Sequence, residues 1–290
     1  MKEIATLILT AIGGFAAMVA VQLLLTEVIS IGDYATYVLL ALSSSVLQFG
    51  LPAIVCKRMI ATSGDWRRWQ LKDGDVKRQA YVINQLFSVI ILIVMCQPVV
   101  EWSYYVSDRL CGWAGIKVWT ESLQVSSDLL LGFILRYDSV WEWGVSILTI
   151  AVVPAVCEEL FFRGTLLPML QKRTGNWHLS IVVTAAVFSL MHLDIVGFLP
   201  RFLLGVMLGL VYYLCKGNMV MPVVMHTLNN LIVVVSVGVS DEGVKQALSA
   251  GPEWPGLVMP LVSLGVVLLE IKTLEIIKNK IEGGQEGIGA

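Results

Sequence analysis

Residues 155–164 read Ala155-Val156-Cys157-Glu158-Glu159-Leu160-Phe161-Phe162-Arg163-Gly164. This stretch ends an apolar run that begins near Gly144, so two adjacent carboxylates and an arginine follow enough apolar residues to lie inside a membrane. A carboxylate at membrane depth costs about 3 kcal/mol even on the mildest insertion scales, so it needs a partner, a water-filled cavity or a chemical role. Later apolar segments carry two histidines, His192 and His226. We expect the rest of the chain to bring these three segments together.

The composition is that of a polytopic membrane protein. The chain has 290 residues, of which 57% are hydrophobic and 14% are charged, against about 25% charged residues in soluble domains. The formal net charge of -2 shows no basic excess, so we expect no nucleic acid partner. The five cysteines form no CxxC pair and no metal-ligand spacing. We interpret them, including Cys157 beside Glu158, as small packing residues.

Apolar segments of about 20 residues predict an all-α fold, a polytopic transmembrane helical bundle of about eight spans. The glutamate pair and the two histidines of the apolar segments fall within spans four to seven, which we expect to enclose a shared cavity. The predicted spans are 4–25, 35–56, 80–100, 142–163, 179–195, 198–215, 219–238 and 256–273. The first span is longer than the apolar core of a signal peptide, so we expect an uncleaved helix. In the sixth span, Gly205 and Gly209 form a GxxxG pattern, which predicts close packing of two helix backbones.

Lysine and arginine are unevenly distributed between the connections. With a cytoplasmic N-terminus, fifteen of the twenty lie in inside segments and five lie outside, which predicts that both termini are cytoplasmic. The sequence Trp66-Arg67-Arg68-Trp69 lies in the basic connection between spans two and three. It is predicted to anchor the chain at the membrane surface or to contact anionic lipid headgroups. We expect a multi-pass protein in the plasma membrane of a prokaryote, with membrane lipids as partners.

Three regions are predicted along the chain. Residues 1–141 form an N-terminal three-span region with a cytoplasmic basic loop and a long outer connection, and residues 142–273 form the membrane domain that holds the polar residues. Residues 274–290 are predicted to be a disordered tail, because their glycine-rich end lacks apolar residues. The apolar stretch 129–135 in the outer connection is too short to span and predicts an interfacial or re-entrant helix.

The spacing of the polar residues distinguishes the two glutamates. On a helix, residues four apart are offset by about 40°, so Glu159 and Arg163 share a face, while Glu158 points about 100° away. One carboxylate can therefore pair with Arg163 while the other stays free. Each polar residue could instead make its own structural hydrogen bond between helices. Two histidines inside spans, together with a glutamate pair, favour one shared acid-base site.

Three short patterns follow one another along the chain. Glu158-Glu159-Leu160-Phe161-Phe162-Arg163 reads EExxxR, Phe188-Ser189-Leu190-Met191-His192 reads FxxxH, and His226-Thr227-Leu228-Asn229-Asn230 reads HxxxN. In this order they resemble the motifs of the CAAX-protease and bacteriocin-processing family, the intramembrane glutamate proteases also called the Abi family. The resemblance covers roughly residues 142–238. It implies that residues 142–273 form a CAAX-protease-like catalytic domain.

The resemblance also implies roles for individual residues. The catalytic residues would be Glu158, His192, His226 and Asn230, and the supporting residues would be Glu159, Arg163 and Phe188. The first glutamate and the histidine of the second motif would activate a water for attack on a peptide carbonyl, and the third motif would stabilise the oxyanion. No cofactor and no metal are implied. The substrate would be a membrane-associated peptide or protein, either lipidated or a bacteriocin precursor.

Three alternatives are open at this stage. Two carboxylates and two histidines could bind Zn²⁺, although the chain has no HExxH pair. A bacteriocin-immunity or scaffold protein of the same fold would bind a peptide without cutting it. A proton-coupled transporter also uses intramembrane glutamate and histidine, but we find no inverted repeat of the kind that many transporters contain.

The predicted span ends disagree about the depth of this site. At 1.5 Å per residue, Glu158 would lie roughly 8 Å and His226 roughly 10 Å inside the cytoplasmic edge, whereas His192 would lie roughly 20 Å deep. We therefore expect the fifth span to be tilted or to start later than 179, or the site to lie nearer the middle of the membrane.

Overall fold

The computed structural model describes residues 2–28, 34–59, 76–116, 139–238 and 256–286. Within these ranges the chain forms helices and no strand, which confirms the predicted all-α bundle. The basic connection with Trp66-Arg67-Arg68-Trp69 and the stretch 129–135 lie outside the described residues.

The described part of the chain forms eight helices, and each overlaps one predicted span. They are α1 (Lys2–Val28), α2 (Tyr34–Ser45, Val46–Gly50 and Leu51–Met59 without a break), α3 (Val76–Trp113), α4 (Val140–Thr174), α5 (Trp177–Leu190), α6 (Phe198–Leu214), α7 (Val220–Gly238) and α8 (Val258–Glu286). Segments of α1 to α4 are long and apolar enough to cross a membrane, whereas α5, α6 and α7 carry shorter apolar segments.

Several helix ends differ from the prediction. Helix α3 continues beyond residue 100 to Trp113, α4 continues beyond 163 to Thr174, and α5 ends at Leu190 rather than 195. Helix α8 extends to Glu286, so the prediction of a disordered tail from residue 274 was wrong for residues 274–286. The reason is that Leu274 and Ile277, one turn apart, are buried in the apolar cluster that α8 shares with α3.

Helix α4 changes its winding on both sides of the glutamate pair. Its α-helical segment Val153–Phe161 carries Glu158 and Glu159 and lies between two π-helical turns, Ile147–Val152 and Phe162–Leu166. A π turn widens the helix by one residue, and such turns are frequent at functional sites. A third π turn, Val46–Gly50, interrupts α2 where α2 packs against the glutamate-bearing segment.

A tight turn joins α4 to α5 and makes them a helical hairpin. Gly175 has a φ of 66°, the left-handed conformation that glycine adopts at low cost and that commonly ends helices. The side chain of Asn176 then accepts a hydrogen bond from the backbone N–H of Leu179 and caps the start of α5. This hairpin returns the chain along α4 toward the glutamate pair.

The two larger of three clusters of buried apolar side chains in the described residues hold most of the helices together. The first joins α3, α6, α7 and α8 through Val89, Leu92, Ile93, Cys96, Leu204, Leu208, Val211, Leu214, Cys215, Met221, Met225, Val267, Leu274 and Ile277. The second joins α1, α2, α4 and α5 through Leu7, Phe49, Ala53, Cys56, Phe161, Phe162, Met169 and Phe188. Lipid tails are as apolar as these side chains, so close packing contributes more to helix association here than transfer from water does.

Helices α5 and α6 approach closely along the predicted glycine pattern. A Cβ added to Gly205 would lie 3.0 Å from the Cβ of Ala185, and one added to Gly209 would lie 2.9 Å from a methyl carbon of Ile181. Larger side chains would push the two helices apart. The packing role predicted for GxxxG is confirmed, with α5 as the partner.

Candidate active site

The structure brings the first glutamate and both intramembrane histidines to one point. The Oε2 atom of Glu158 lies 3.9 Å from Nε2 of His192 and 3.8 Å from Nε2 of His226. Glu158 is only 8% exposed, and its Oε2 atom is buried without a hydrogen-bond partner in the described part of the chain. Buried polar atoms are normally satisfied, so an unsatisfied carboxylate oxygen calls for an explanation such as a hydrogen bond to water or a catalytic role.

His192 lies in the turn after α5, and this turn is fixed on both sides. Its neighbour Leu193 has a φ of 53°, and Asp194 accepts a hydrogen bond of 2.9 Å from the N–H of Gly197. The other oxygen of Asp194 lies 2.6 Å from the guanidinium of Arg201, on α6. These contacts hold the turn so that His192 projects toward Glu158.

Both histidines direct Nε2 at Glu158 because each Nδ1 is held by an acceptor. Nδ1 of His192 lies 2.8 Å from the carbonyl oxygen of Phe188, and a carbonyl only accepts, so Nδ1 carries the hydrogen. Nδ1 of His226 lies 2.8 Å from Oε1 of Glu159, which likewise accepts from Nδ1 when the carboxylate is ionised. The partner of one ring nitrogen thus sets the tautomer and leaves the other nitrogen for chemistry.

Glu159 and Arg163 form a buried ion pair behind His226. Oε1 of Glu159 lies 2.7 Å from NH1 of Arg163, and both side chains are fully buried. The second guanidinium nitrogen, NH2, donates a hydrogen bond of 2.8 Å to the carbonyl oxygen of Gly205 on α6. The pairing predicted from their four-residue spacing is therefore present, and α4 continues for three turns beyond Arg163.

The ring of Phe188 fills the space between the charged groups. Its centroid lies 4.9 Å from that of His192 and 5.7 Å from that of His226. The guanidinium carbon of Arg163 lies 5.1 Å from the same centroid, within the range of a cation–π contact. Phe188 thus packs against both histidines and covers the ion pair.

Asn230 is not part of the hydrogen-bonded cluster around Glu158. Its Oδ1 atom accepts a hydrogen bond of 3.4 Å from Nδ2 of Asn229, and Oδ1 of Asn229 in turn accepts one of 3.4 Å from Nε2 of Gln97 on α3. Asn230 lies one helical turn after His226 on the same face of α7. The structure therefore joins six of the seven predicted site residues into one connected cluster, and Asn230 lies one turn further along α7.

The three polar segments lie at one depth, which removes the disagreement between the predicted span ends. Counted from the turn at Gly175, Glu158 is about 24 Å along α4 and His192 is about 22 Å along α5. Helix α7 begins further from the turn at Gly175 than α5 does. The evidence is that Met219, just before α7, packs against Gly164, which lies about 15 Å along α4 from that turn. His226 lies about 10 Å further on, at nearly the same level.

Sequence reasoning did not predict the residues that hold this cluster in place. The carbonyl of Gly205 gives no signal, since any residue carries one. Asp194 and Arg201 were detectable as opposite charges close to His192 within apolar sequence. Among the described residues, no group of three or more His, Cys, Asp and Glu side chains has an arrangement that could hold a metal ion.

Comparison with known families agrees with the motif analysis. A family model described as type II CAAX prenyl endopeptidase Rce1-like matches residues 140–232, which include all three motifs. No curated protein and no solved structure shows a significant match to the chain. The family recognised from the three motifs is thereby supported, and the apolar helices agree with it. This chain is a multi-pass membrane protein, and its residues 140–232 are similar to the type II CAAX prenyl endopeptidase Rce1-like family.

Proposed function

We propose that this protein is an intramembrane endopeptidase in which Glu158 and His192 activate a water molecule to cleave a peptide bond of a prenylated, membrane-associated peptide or protein. The observation that carries the proposal is the convergence of two Nε2 atoms, 3.8 and 3.9 Å away, on one buried and unsatisfied oxygen of Glu158. The matching family is described by an endopeptidase activity toward prenylated CAAX substrates.

The distance between Glu158 and His192 suits a shared water. Two acceptors 3.9 Å apart that each lie 2.8 Å from a water oxygen subtend an angle of about 90° at that oxygen. This is close to the angle between the two O–H bonds of water. Because Nδ1 of His192 holds its hydrogen on the carbonyl of Phe188, Nε2 can accept a proton, and so can the carboxylate. Such a pair is suited to general base catalysis.

His226 is suited to the opposite task. Its Nδ1 donates to Glu159, whose carboxylate is also paired with Arg163. When Nε2 carries a proton as well, the imidazolium lies between the carboxylates of Glu159 and Glu158 and can donate to a developing oxyanion. Fixed donors in a buried site stabilise a developing negative charge more strongly than donors in water do, because they need no reorganisation during the reaction. Asn230, on the same face of α7, would supply a second donor.

The proposed reaction conserves atoms and charge. The water oxygen forms a bond to the carbonyl carbon while one proton passes from the water to the pair formed by Glu158 and His192. Collapse of the tetrahedral intermediate breaks the C–N bond, and the proton passes to the leaving nitrogen. The products are a new carboxyl group and a new amine, and no covalent enzyme intermediate forms.

The test is cleavage by purified protein in detergent of a farnesylated peptide that ends in a CAAX sequence, with products identified by mass spectrometry. Wild-type protein should cut the peptide, and Glu158→Gln should not, because the amide cannot accept the proton. Glu101→Gln is the matched control, since Glu101 is exposed on α3. The same peptide without the prenyl group and a bacteriocin precursor identify the substrate class. If the protein binds these peptides but cuts none, the non-catalytic alternative is correct and our proposal is wrong.

A further inference from the structure

Three side-chain amides form a hydrogen-bonded chain that runs from α3 to the third motif on α7. Nε2 of Gln97 donates to the carbonyl oxygen of Ile93 at 3.0 Å and to Oδ1 of Asn229 at 3.4 Å. Nδ2 of Asn229 then donates to Oδ1 of Asn230 at 3.4 Å. The chain begins in residues that precede the family domain and ends at the candidate oxyanion residue.

Gln97, the first of the three amides, sets the direction in which hydrogen bonds are donated along this hydrogen-bonded chain. The carbonyl of Ile93 accepts and cannot donate, so Gln97 must turn its Nε2 toward it at 3.0 Å, because its Oε1 would be repelled there. The same nitrogen faces Asn229, which must therefore present its oxygen to Gln97 and its Nδ2 to Asn230. Asn230 accordingly receives this bond on Oδ1, and no described residue uses the two hydrogens on its Nδ2.

We propose that Gln97 is a positioning residue that acts through Asn229 to fix the amide of Asn230 with its Nδ2 hydrogens available to the reacting carbonyl oxygen. The inference rests on the proposed function, because it concerns the oxyanion donor of that reaction. An amide turned by 180° would present Oδ1 to the oxyanion and repel it. Fixing the orientation therefore removes an unproductive state before the substrate arrives, and such preorganisation raises the rate of the chemical step.

The chemistry of residue 97 predicts graded effects on kcat. In Gln97→Met the direction of the chain is no longer imposed, so we expect kcat to fall by about three- to tenfold, less than the 10²–10³-fold typical for loss of an oxyanion donor. In Gln97→Glu the carboxylate only accepts, so Asn229 would turn its Nδ2 toward it and Asn230 would turn its own Nδ2 toward Asn229. This reversed chain should lower kcat more than Gln97→Met does.

Helix α3 provides a matched control. Gln85 lies three turns before Gln97 on the same helix, is 1% exposed, and has no hydrogen-bond partner among the described residues on either amide atom. Gln85→Met therefore makes the same change in a buried part of the same helix without contact to Asn230. We expect Gln85→Met to leave kcat and KM unchanged.

The experiment measures kcat, KM and thermal unfolding for these variants with the prenylated peptide, and includes Asn230→Ala and the double variant Gln97→Met with Asn230→Ala. We expect Gln97→Met to lower kcat with KM unchanged. The double variant should have the same kcat as Asn230→Ala, because Gln97 and Asn229 cannot orient an amide that has been removed; we call this action of Gln97 through Asn229 on Asn230 the relay. The relay would be wrong if the reductions in kcat of the two single variants multiplied in the double variant. It would also be wrong if Gln97→Met left kcat unchanged. In both cases the proposed function would stand. If wild-type protein cuts the peptide and Asn230→Ala cuts it equally well, the role of Asn230 and the relay are both wrong.

Discussion

The two adjacent glutamates should separate activity from stability. Glu158→Gln should abolish cleavage and leave stability nearly unchanged, because Oε2 of Glu158 makes no hydrogen bond that the amide would lose. Arg163→Met, in contrast, leaves the carboxylate of Glu159 fully buried without its cation at 2.7 Å and leaves the carbonyl of Gly205 without its donor. Removing one member of a buried ion pair costs about 3–5 kcal/mol, and the lost hydrogen bond to the carbonyl adds about 1 kcal/mol.

Glu159→Gln should fall between these two variants. Its amide oxygen can still accept from Nδ1 of His226 or from Arg163, but the negative charge that pairs with Arg163 is gone. We expect a loss of unfolding free energy of about 1–3 kcal/mol and partial activity in the protein that remains folded. In a chain of this size Arg163→Met should lower Tm by on the order of 10 °C.

The assay combines thermal unfolding in detergent with cleavage of the prenylated peptide on the same preparations. Lys172→Met is a suitable control for the loss of a cation from α4, because its pair with Glu3 is exposed and should contribute little. Equal and total loss of cleavage in Glu158→Gln and Glu159→Gln, with unchanged Tm in both, would refute the division of roles. The two carboxylates would then have to act as one coupled pair.

Four further outcomes are expected. Asn230→Ala should lower kcat by about 10²–10³-fold with little change in KM, and Asn229→Ala should lower it less; a change mainly in KM would make Asn230 a substrate contact. Treatment with o-phenanthroline should leave cleavage unchanged, and a stoichiometric metal found by elemental analysis of active protein would contradict this. Asp194→Asn should lower kcat on the order of tenfold by loosening the turn after α5. Asp194→Glu keeps the negative charge, so its kcat should fall less than that of Asp194→Asn if the ion pair with Arg201 is responsible. Gly209→Leu should destabilise the protein by about 1–3 kcal/mol, whereas Gly265→Leu, where an added Cβ meets no atom within 4 Å, should not change Tm.

The sequence was sufficient to predict the helices of the described residues and the approach of three candidate site residues to one another. Apolar length located eight helices, because a span must satisfy its own backbone groups. The four-residue spacing of Glu159 and Arg163 predicted their ion pair, which is present at 2.7 Å. The convergence of Glu158, His192 and His226 was inferred because charges in apolar segments need partners.

The ends of helices and the long-range contacts could not be predicted in the same way. The fourth span was predicted to end at Arg163, yet α4 continues to Thr174 and Arg163 is fully buried and paired on two sides. Helix α8 continues past residue 273 because Leu274 and Ile277 find apolar partners on another helix. The relay from Gln97 depends on the packing of α3 beside α7, and a lone glutamine in an apolar segment does not indicate which helix it will meet.

The two π turns in α4 affect which changes in chain length this domain can tolerate. Each turn contains one residue more than an α-helical turn, so the deletion of one residue from 162–166 would let an ordinary α-helix form through the site. Everything after the deletion would keep nearly the same rotation about the helix axis relative to Glu158, because a four-residue α turn would replace the five-residue π turn. Deletion of one residue after Glu158 within the α-helical segment Val153–Phe161 would instead rotate the following residues by about 100°, and the hairpin would carry His192 away from its partner. The register between the first and second motifs is therefore set by the winding of the helix as well as by the number of residues between them.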